Sequence, residues 1–282
     1  MPMEMITDEL ELARSGFVWR ENGDGVRAVV CAALEQEGFA NAFSTRVGGV
    51  SPFPRGSLNL AGFDQDTAEN IFENRRRFFG LLGGEWTFNG CWQVHGAQVR
   101  VVENLENARS EQERCDAQVT RTPGVLLGVK TADCVPVLLA DARTGACAGV
   151  HAGWKGTLAE IVRHTLNVMQ AEFGTDPRDV RAAVGPAARA CCYEVGAEVI
   201  EAFREKFPRA DSLFTPTREG HALVDLQRAN REQLVESGVR DERVHTLPLC
   251  TICRPDLFFS YRYEQKLYDR TGRLLSVIGR SS

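Results

Sequence analysis

The stretch from Leu126 to Phe173 constrains this chain most. Three short apolar runs, residues 125–129, 135–140 and 146–150, have the length and the Val/Leu content of buried strands. Asp141-Ala-Arg-Thr-Gly145, between the last two, is turn chemistry, with a glycine available for a positive φ. Antiparallel pairing sets the start of one strand beside the end of the next. Cys134 precedes the first strand of this hairpin and His151 follows the second. A thiol and an imidazole 17 residues apart are therefore expected side by side at one end of a sheet.

Beyond His151, Thr157-Leu-Ala-Glu160 has the form of a capping box, and Leu158, Ile161, Val162, Leu166, Met169 and Phe173 follow helical spacing. The predicted helix points its N-terminus, with Lys155 at the lip, toward Cys134 and His151, which suits an anion. A glycine turn through Gly153 and Gly156 that merely joins strand to helix accounts for the same residues.

With 282 residues, 43% hydrophobic and 25% charged, the chain is long enough for a sizeable core and ordinary for a globular protein. A net charge of −5 argues against nucleic-acid partners or an anionic membrane. No apolar run approaches the ~20 residues of a membrane span, and the acidic segment 1–15 lacks the features of a signal peptide. Nine cysteines, an odd number scattered along the chain, read as free thiols in a reducing cytoplasm.

The remaining pattern predicts strands at 17–19, 40–43, 180–184, 222–225, 244–249, 256–263 and 274–278. Helices are predicted at 29–36, 67–82, 197–206 and 226–236. Residues 91–102 read as a strand kinked at His95-Gly96. Strands outnumber helices without regular alternation, so the expected fold is α+β, with mixed, largely antiparallel sheets flanked by helices. One compact domain over residues 1–282 is expected, with 1–39 as an N-terminal extension. In Arg75-Arg-Arg77 at least two side chains are expected in solvent. The sequence sets no oligomeric state.

His95, Cys134 and His151 supply two imidazoles and a thiolate, a set that suits catalytic zinc, which takes three protein ligands and keeps one open position. The same set describes blue copper with a weak axial methionine, for which Met169 is available. Five histidines are too few for a multicopper centre. Cys134 activated by His151 as a nucleophile is a metal-free alternative, and a buried structural thiol is another. Asp133 is placed to orient a liganded histidine. Cys250-Thr-Ile-Cys253 is a single CxxC in an apolar context, with no second half to complete a structural zinc site, and is discounted.

Thr45-Arg-Val-Gly-Gly49, Gln93-Val-His-Gly96, Ala132-Asp-Cys-Val-Pro136, His151-Ala-Gly-Trp-Lys-Gly-Thr157, Gly185-Pro186, Tyr193-Glu-Val-Gly196 and Phe258-Phe-Ser-Tyr-Arg262 together resemble the YfiH-type proteins. These were once labelled laccase-domain or polyphenol oxidase and include purine nucleoside phosphorylases. The resemblance runs from about Phe43 to the C-terminus. It implies a compact α+β fold and zinc held by His95, Cys134 and His151 as the catalytic set. It also implies phosphorolysis of adenosine, inosine and methylthioadenosine, with adenosine deamination alongside. Phosphorolysis needs an anion site, for which the Arg46 loop and Lys155 are candidates. Asn59, Tyr261 and Arg262 are candidate substrate contacts, and Glu194 is the candidate acid–base residue. Lys155 replaces the usual arginine, and Ala187-Ala-Arg189 replaces a more glycine-rich loop. The alternatives are a copper-dependent polyphenol oxidase and a Cys134/His151 hydrolase acting on an amide.

Overall fold

Every residue of the strands Val135–Asp141 and Ala146–Ala152 is buried, as continuous apolar runs require when both faces of a sheet are covered. The computed structural model describes residues 3–109 and 111–281. The two strands form the expected antiparallel hairpin, with Pro136 opposite His151 and Val135 opposite Ala152. Its turn is held by Asp141, which accepts hydrogen bonds from the amides of Arg143 (2.9 Å) and Thr144 (3.3 Å) and from the Thr144 hydroxyl (2.7 Å). Gly145 supplies the positive φ of 73°.

This hairpin is the centre of a six-stranded sheet ordered Val244–Thr246, Arg181–Val184, Val135–Asp141, Ala146–Ala152, Ala117–Thr120, Val99–Val101. Its two outer pairs are parallel and the rest antiparallel. A second six-stranded sheet runs Phe17–Glu21, Arg27–Cys31, Phe39–Ser44, Leu274–Arg280, Val125–Thr131, Thr87–Asn89. The strand nearest the C-terminus thus sits inside the sheet, and residues 17–31, within the segment read as an extension, form one edge of it. A smaller sheet of Glu194–Gly196, His221–Val224 and Phe214–Pro216 is fully antiparallel.

Period-two alternation divides the side chains between layers. Phe43, Leu127 and Ile278 of one large sheet face Leu138, Ala140 and Ala183 of the other. On the outer face of the second sheet, Leu126, Leu275 and Val277 pack with Leu58, Leu60 and Phe78, the last from the helix Ala68–Gly80. On the opposite outer face, Val137, Leu139, Ala148 and Val150 meet Ile161, Val162, Leu166 and Met169 of the helix Ile161–Phe173. The result is helix, sheet, sheet, helix, the mixed α+β arrangement expected from the sequence.

Four local expectations fail for physical reasons. The capping box at Thr157 does not form: a short helix, Trp154–Leu158, starts earlier, and the main helix restarts at Ile161 after Glu160 turns through φ 58°. Thr157 instead accepts from Asn230 Nδ2 at 3.0 Å, a partner distant in sequence. Residues 91–98 hold a single bridge, Trp92 to Arg114, rather than a kinked strand, because a carboxylate takes the amides of Val94, His95 and Gly96. Residues 256–263 hold no strand; Ser260 accepts from the amide of Tyr263 (3.1 Å) and caps a helix, Tyr261–Tyr268. The predicted helix at 29–36 shrinks to Ala32–Gln36, since Val29 pairs with Trp19 in a strand.

Candidate active site

His151 is the penultimate residue of the buried strand Ala146–Ala152, opposite Pro136 and at the end away from the hairpin turn, and Cys134 stands just before Val135 on the same sheet end. The chain reaches Cys134 through Asp133 at φ 91°, a left-handed position costly for a residue with a Cβ. His95 also takes a positive φ, 60°. Cys134 Sγ lies 3.8 Å from His95 Nε2, and the two imidazole rings meet edge to face at 4.8 Å. One donor atom from each of the three residues falls within 4.8 Å of the others.

Asp116 holds both histidines. Its Oδ1 lies 2.8 Å from His151 Nδ1 and accepts from the amide of His95 (2.9 Å); its Oδ2 accepts from the amides of Gly96 (2.8 Å) and Val94 (3.2 Å). The carboxylate therefore holds the proton on Nδ1 and leaves His151 Nε2 as the nitrogen that would take a metal in place of its own proton. Gly153 leaves the space: a Cβ there would stand 2.9 Å from His95 Cδ2 and 3.1 Å from Cys134 Sγ. The donor set, the fixed tautomer and this space fit a metal ion with one position open to the cavity above.

Charges in the site reinforce one another. Burial alone would raise the Cys134 thiol, but His151, by charge and hydrogen bond, and His95 bring it down to about 6. Burial would likewise lower His151, yet the Cys134 thiolate and Asp116 raise it to about 9. Asp116 is buried too, and its bond to His151 and the backbone amides hold it below the usual carboxylate range.

The three residues open into a cavity of about 850 Å³. Trp92, Phe63 and Tyr261, exposed by 64%, 46% and 50%, rise at its walls together with Tyr193 and Trp154. Lys130, Arg262 and Arg273 bring positive charge to it, opposed by Asp64 and Glu111. Glu111 is partly engaged by the buried Arg75 (2.6 Å) and by Lys130 (3.8 Å). Arg75 thus belongs to the interior, and of the arginine run Arg76 is the fully exposed member.

Of the sequence-predicted contacts, Arg262 and Tyr261 line the cavity. Arg262 lies over Tyr193 at 5.0 Å and donates to the Glu194 carbonyl (3.1 Å). Arg46 is elsewhere: it is buried in an ion pair with Glu264 (2.8 Å), donates to the carbonyl of Pro255 (2.8 Å) and stacks over Phe259. Asn59 is spent on the turn that follows it, accepting from the amides of Gly62 (3.1 Å) and Arg273 (2.9 Å). Lys155 is exposed on its short helix, 5.4 Å from the Trp154 ring. The Glu194 carboxylate is taken by Thr217 (2.8 Å) and Arg218 (2.9 Å). Asp133 does not orient a histidine; it accepts from Thr251 Oγ1 and the Arg262 amide, both at 2.7 Å. Sequence reasoning missed Asp116, Lys130 and Arg273. None of the three stands in a pattern that marks it: the strand after Asp116 reads Ala-Gln-Val-Thr, with no apolar run.

Fold and site define an α+β protein with a His/Cys trio able to hold a metal ion at the floor of an aromatic cavity. The chain belongs to the YfiH-type family, described as multi-copper polyphenol oxidoreductase laccase, whose sequence pattern matches residues 40–281. A Bacteroides thetaiotaomicron relative named purine nucleoside phosphorylase is 38% identical over 245 residues, 83% of this chain and 89% of its own. YfiH of Escherichia coli, also named a purine nucleoside phosphorylase, is 35% identical over 246 residues, 86% of this chain and 95% of its own. The crystal structure of YlmD from Geobacillus stearothermophilus matches with a TM-score of 0.83 at 32% identity, covering 90% of this chain and 96% of that one.

Proposed function

We propose that this chain is a purine nucleoside phosphorylase that holds zinc on His95, Cys134 and His151 and also deaminates adenosine. The observation that carries the reading is the open three-donor site at the floor of a cavity whose walls pair aromatic faces with Lys130, Arg262 and Arg273. Phe63, Trp92 and Tyr261 offer stacking surface to a purine. The three cations suit a phosphate, Arg262 and Arg273 through fork-shaped donors and Lys130 as a point charge. In phosphorolysis a phosphate oxygen bonds to C1′ of the ribose as the bond from C1′ to the purine breaks; the base leaves with the bonding pair and takes up a proton. In deamination water replaces the 6-amino group, which leaves as ammonia. Zinc bound at this site supplies a Lewis acid and lowers the pKa of a bound water toward neutrality. The protein's own part is to fix the His151 tautomer through Asp116, to keep Cys134 ionised, and to hold phosphate and nucleoside against that floor. The free thiols fit action in a reducing cytoplasm.

Two other readings meet specific observations. A copper phenol oxidase is favoured by the family's descriptive name, but Met169, the axial candidate, packs in the core with Leu166, and five histidines cannot furnish several copper centres. A thiol hydrolase is favoured by the lowered Cys134 and the adjacent His151, and its activity would survive chelation. The deciding experiment is adenosine turnover with and without phosphate, resolving adenine, inosine and hypoxanthine, for the wild type and Cys134→Ala. Phosphate-dependent adenine release that disappears in the variant supports the phosphorylase. Absence of any purine product sinks it.

A further inference from the structure

Cys250 and Cys253 find their second half through the fold. The loop carrying Cys191 and Cys192 runs beside the loop carrying Cys250: Ala187 and Cys250 form a parallel bridge, and the Thr251 amide donates to the Ala187 carbonyl at 3.0 Å. Arg189 Nη1 ties the same loops by donating to the Pro248 carbonyl at 2.6 Å. All four sulfurs lie within 4.8 Å of one another, with Cys253 Sγ 3.0 Å from Cys192 Sγ and 3.5 Å from Cys191 Sγ. Four thiolates placed tetrahedrally about 2.3 Å from a zinc ion stand roughly 3.8 Å from each other, so small side-chain adjustments suffice.

Of the four thiols only Cys250 is lowered, against its burial, by the backbone N–H groups of Arg189, Cys253 and Ile252. Burial raises Cys191, Cys192 and Cys253, so it is the closeness of the four sulfurs that carries the site. Cys191 and Cys253 are exposed, which gives an ion a path of entry. All four are free cysteines in the structure.

We propose that Cys191, Cys192, Cys250 and Cys253 bind one zinc ion as a closed four-thiolate structural site, separate from the His95, Cys134 and His151 centre. Soft sulfur donors in a tetrahedral set of four select zinc, and no position is left open for a substrate. Binding releases the thiol protons to solvent and changes no oxidation state. The ion would staple two walls of the cavity. Tyr193, directly after Cys192, lies under Arg262; Thr251, between Cys250 and Cys253, holds Asp133 beside Cys134. Without the staple, both loops lose the covalent-strength link that fixes these side chains.

The test counts metal on the full chain purified in zinc-containing, reducing buffer. Elemental analysis should give two zinc ions per chain in the wild type, one in Cys134→Ala and one in the double variant Cys191→Ser, Cys253→Ser. The Cys134→Ala protein, stripped and reloaded with cobalt, should show the intense visible absorption and sulfur-to-metal charge transfer of a tetrahedral four-thiolate centre. That spectrum does not require the cysteine double variant to fold. Adding Cys191→Ser and Cys253→Ser should abolish it. A Cys134→Ala protein that carries no zinc, a Cys192–Cys253 disulfide mapped by mass spectrometry after alkylation, or iron in place of zinc would overturn the proposal. The count is independent of enzymatic turnover, so it can fail while the phosphorylase reading stands.

Discussion

Replacing Asp116 by asparagine keeps the shape of the side chain and removes half of its accepting capacity. The carboxylate serves four donors, two on each oxygen: His151 Nδ1 and the His95 amide on one, the Val94 and Gly96 amides on the other. An amide retains one oxygen, so in either orientation its NH2 faces two donors. Each buried donor left unmade costs about 1–3 kcal/mol, which places the loss of folding stability at roughly 2–6 kcal/mol. Zinc affinity should fall separately. Partners that orient metal-bound histidines are worth about 10–100-fold in affinity, or about 1.4–2.8 kcal/mol. Competition against a chromophoric chelator measures the second loss, and a thermal melt of the metal-free protein the first. Asp133→Asn is the control: it also removes a buried carboxylate near Cys134, but one whose partners are Thr251 and Arg262, so zinc affinity should change much less. A folded Asp116→Asn protein that binds zinc within a factor of two of wild type would refute the role assigned to Asp116.

Gly153→Ala should reduce zinc stoichiometry at the histidine centre with little loss of fold, because the new methyl enters the space between His95 and Cys134; elemental analysis of the variant checks this. In metal-free protein Cys134 should alkylate with an inflection near pH 6, against about 8.5 for an ordinary thiol. The reactive thiolate is present above that value and is lost as pH falls through it, and Asp116→Asn should move the inflection upward by weakening the imidazolium; mass mapping of iodoacetamide labelling reads both. Arg46→Ala should lower the melting temperature sharply, since breaking a buried ion pair costs about 3–5 kcal/mol, while the KM for phosphate of the folded enzyme stays unchanged. A raised KM with an unchanged melt would instead return Arg46 to the anion site.

The hairpin at 135–152 was legible because its information is local. Strand length, apolar runs and the Asp141–Gly145 turn lie within one short segment, and the register they impose sets His151 opposite Pro136. Helices at 197–206 and 226–236 were legible for the same reason, each with its own periodicity and boundary. The misread elements share the opposite property. Thr157 looks like a cap until Asn230, far along the chain, takes its hydroxyl. Residues 91–98 alternate like a strand, but the amides that would enter a ladder go to Asp116. Side-chain acceptors compete with secondary structure for backbone donors, and a competitor that arrives from elsewhere leaves no mark in the local pattern.

The same distinction divides the site. His95, Cys134 and His151 could be named because their chemistry is in their own side chains and two of them flank one hairpin. The choice of orienting carboxylate could not: Asp133 is next to Cys134 in sequence, yet its backbone turn at φ 91° directs it to Thr251 and Arg262, and Asp116 reaches His151 across a strand pair. Arg46 shows the converse error. A guanidinium beside two glycines reads as an anion grip, but a buried guanidinium needs a partner, and Glu264, on a helix absent from the predicted pattern, provides it at 2.8 Å. The cysteine quartet follows the same rule. Cys250-Thr-Ile-Cys253 lacked a sequence neighbour to complete it, while the parallel bridge between Ala187 and Cys250 brings Cys191 and Cys192 within ligand distance. Identity of donors is written residue by residue, whereas their pairing is a property of the topology that carries them together.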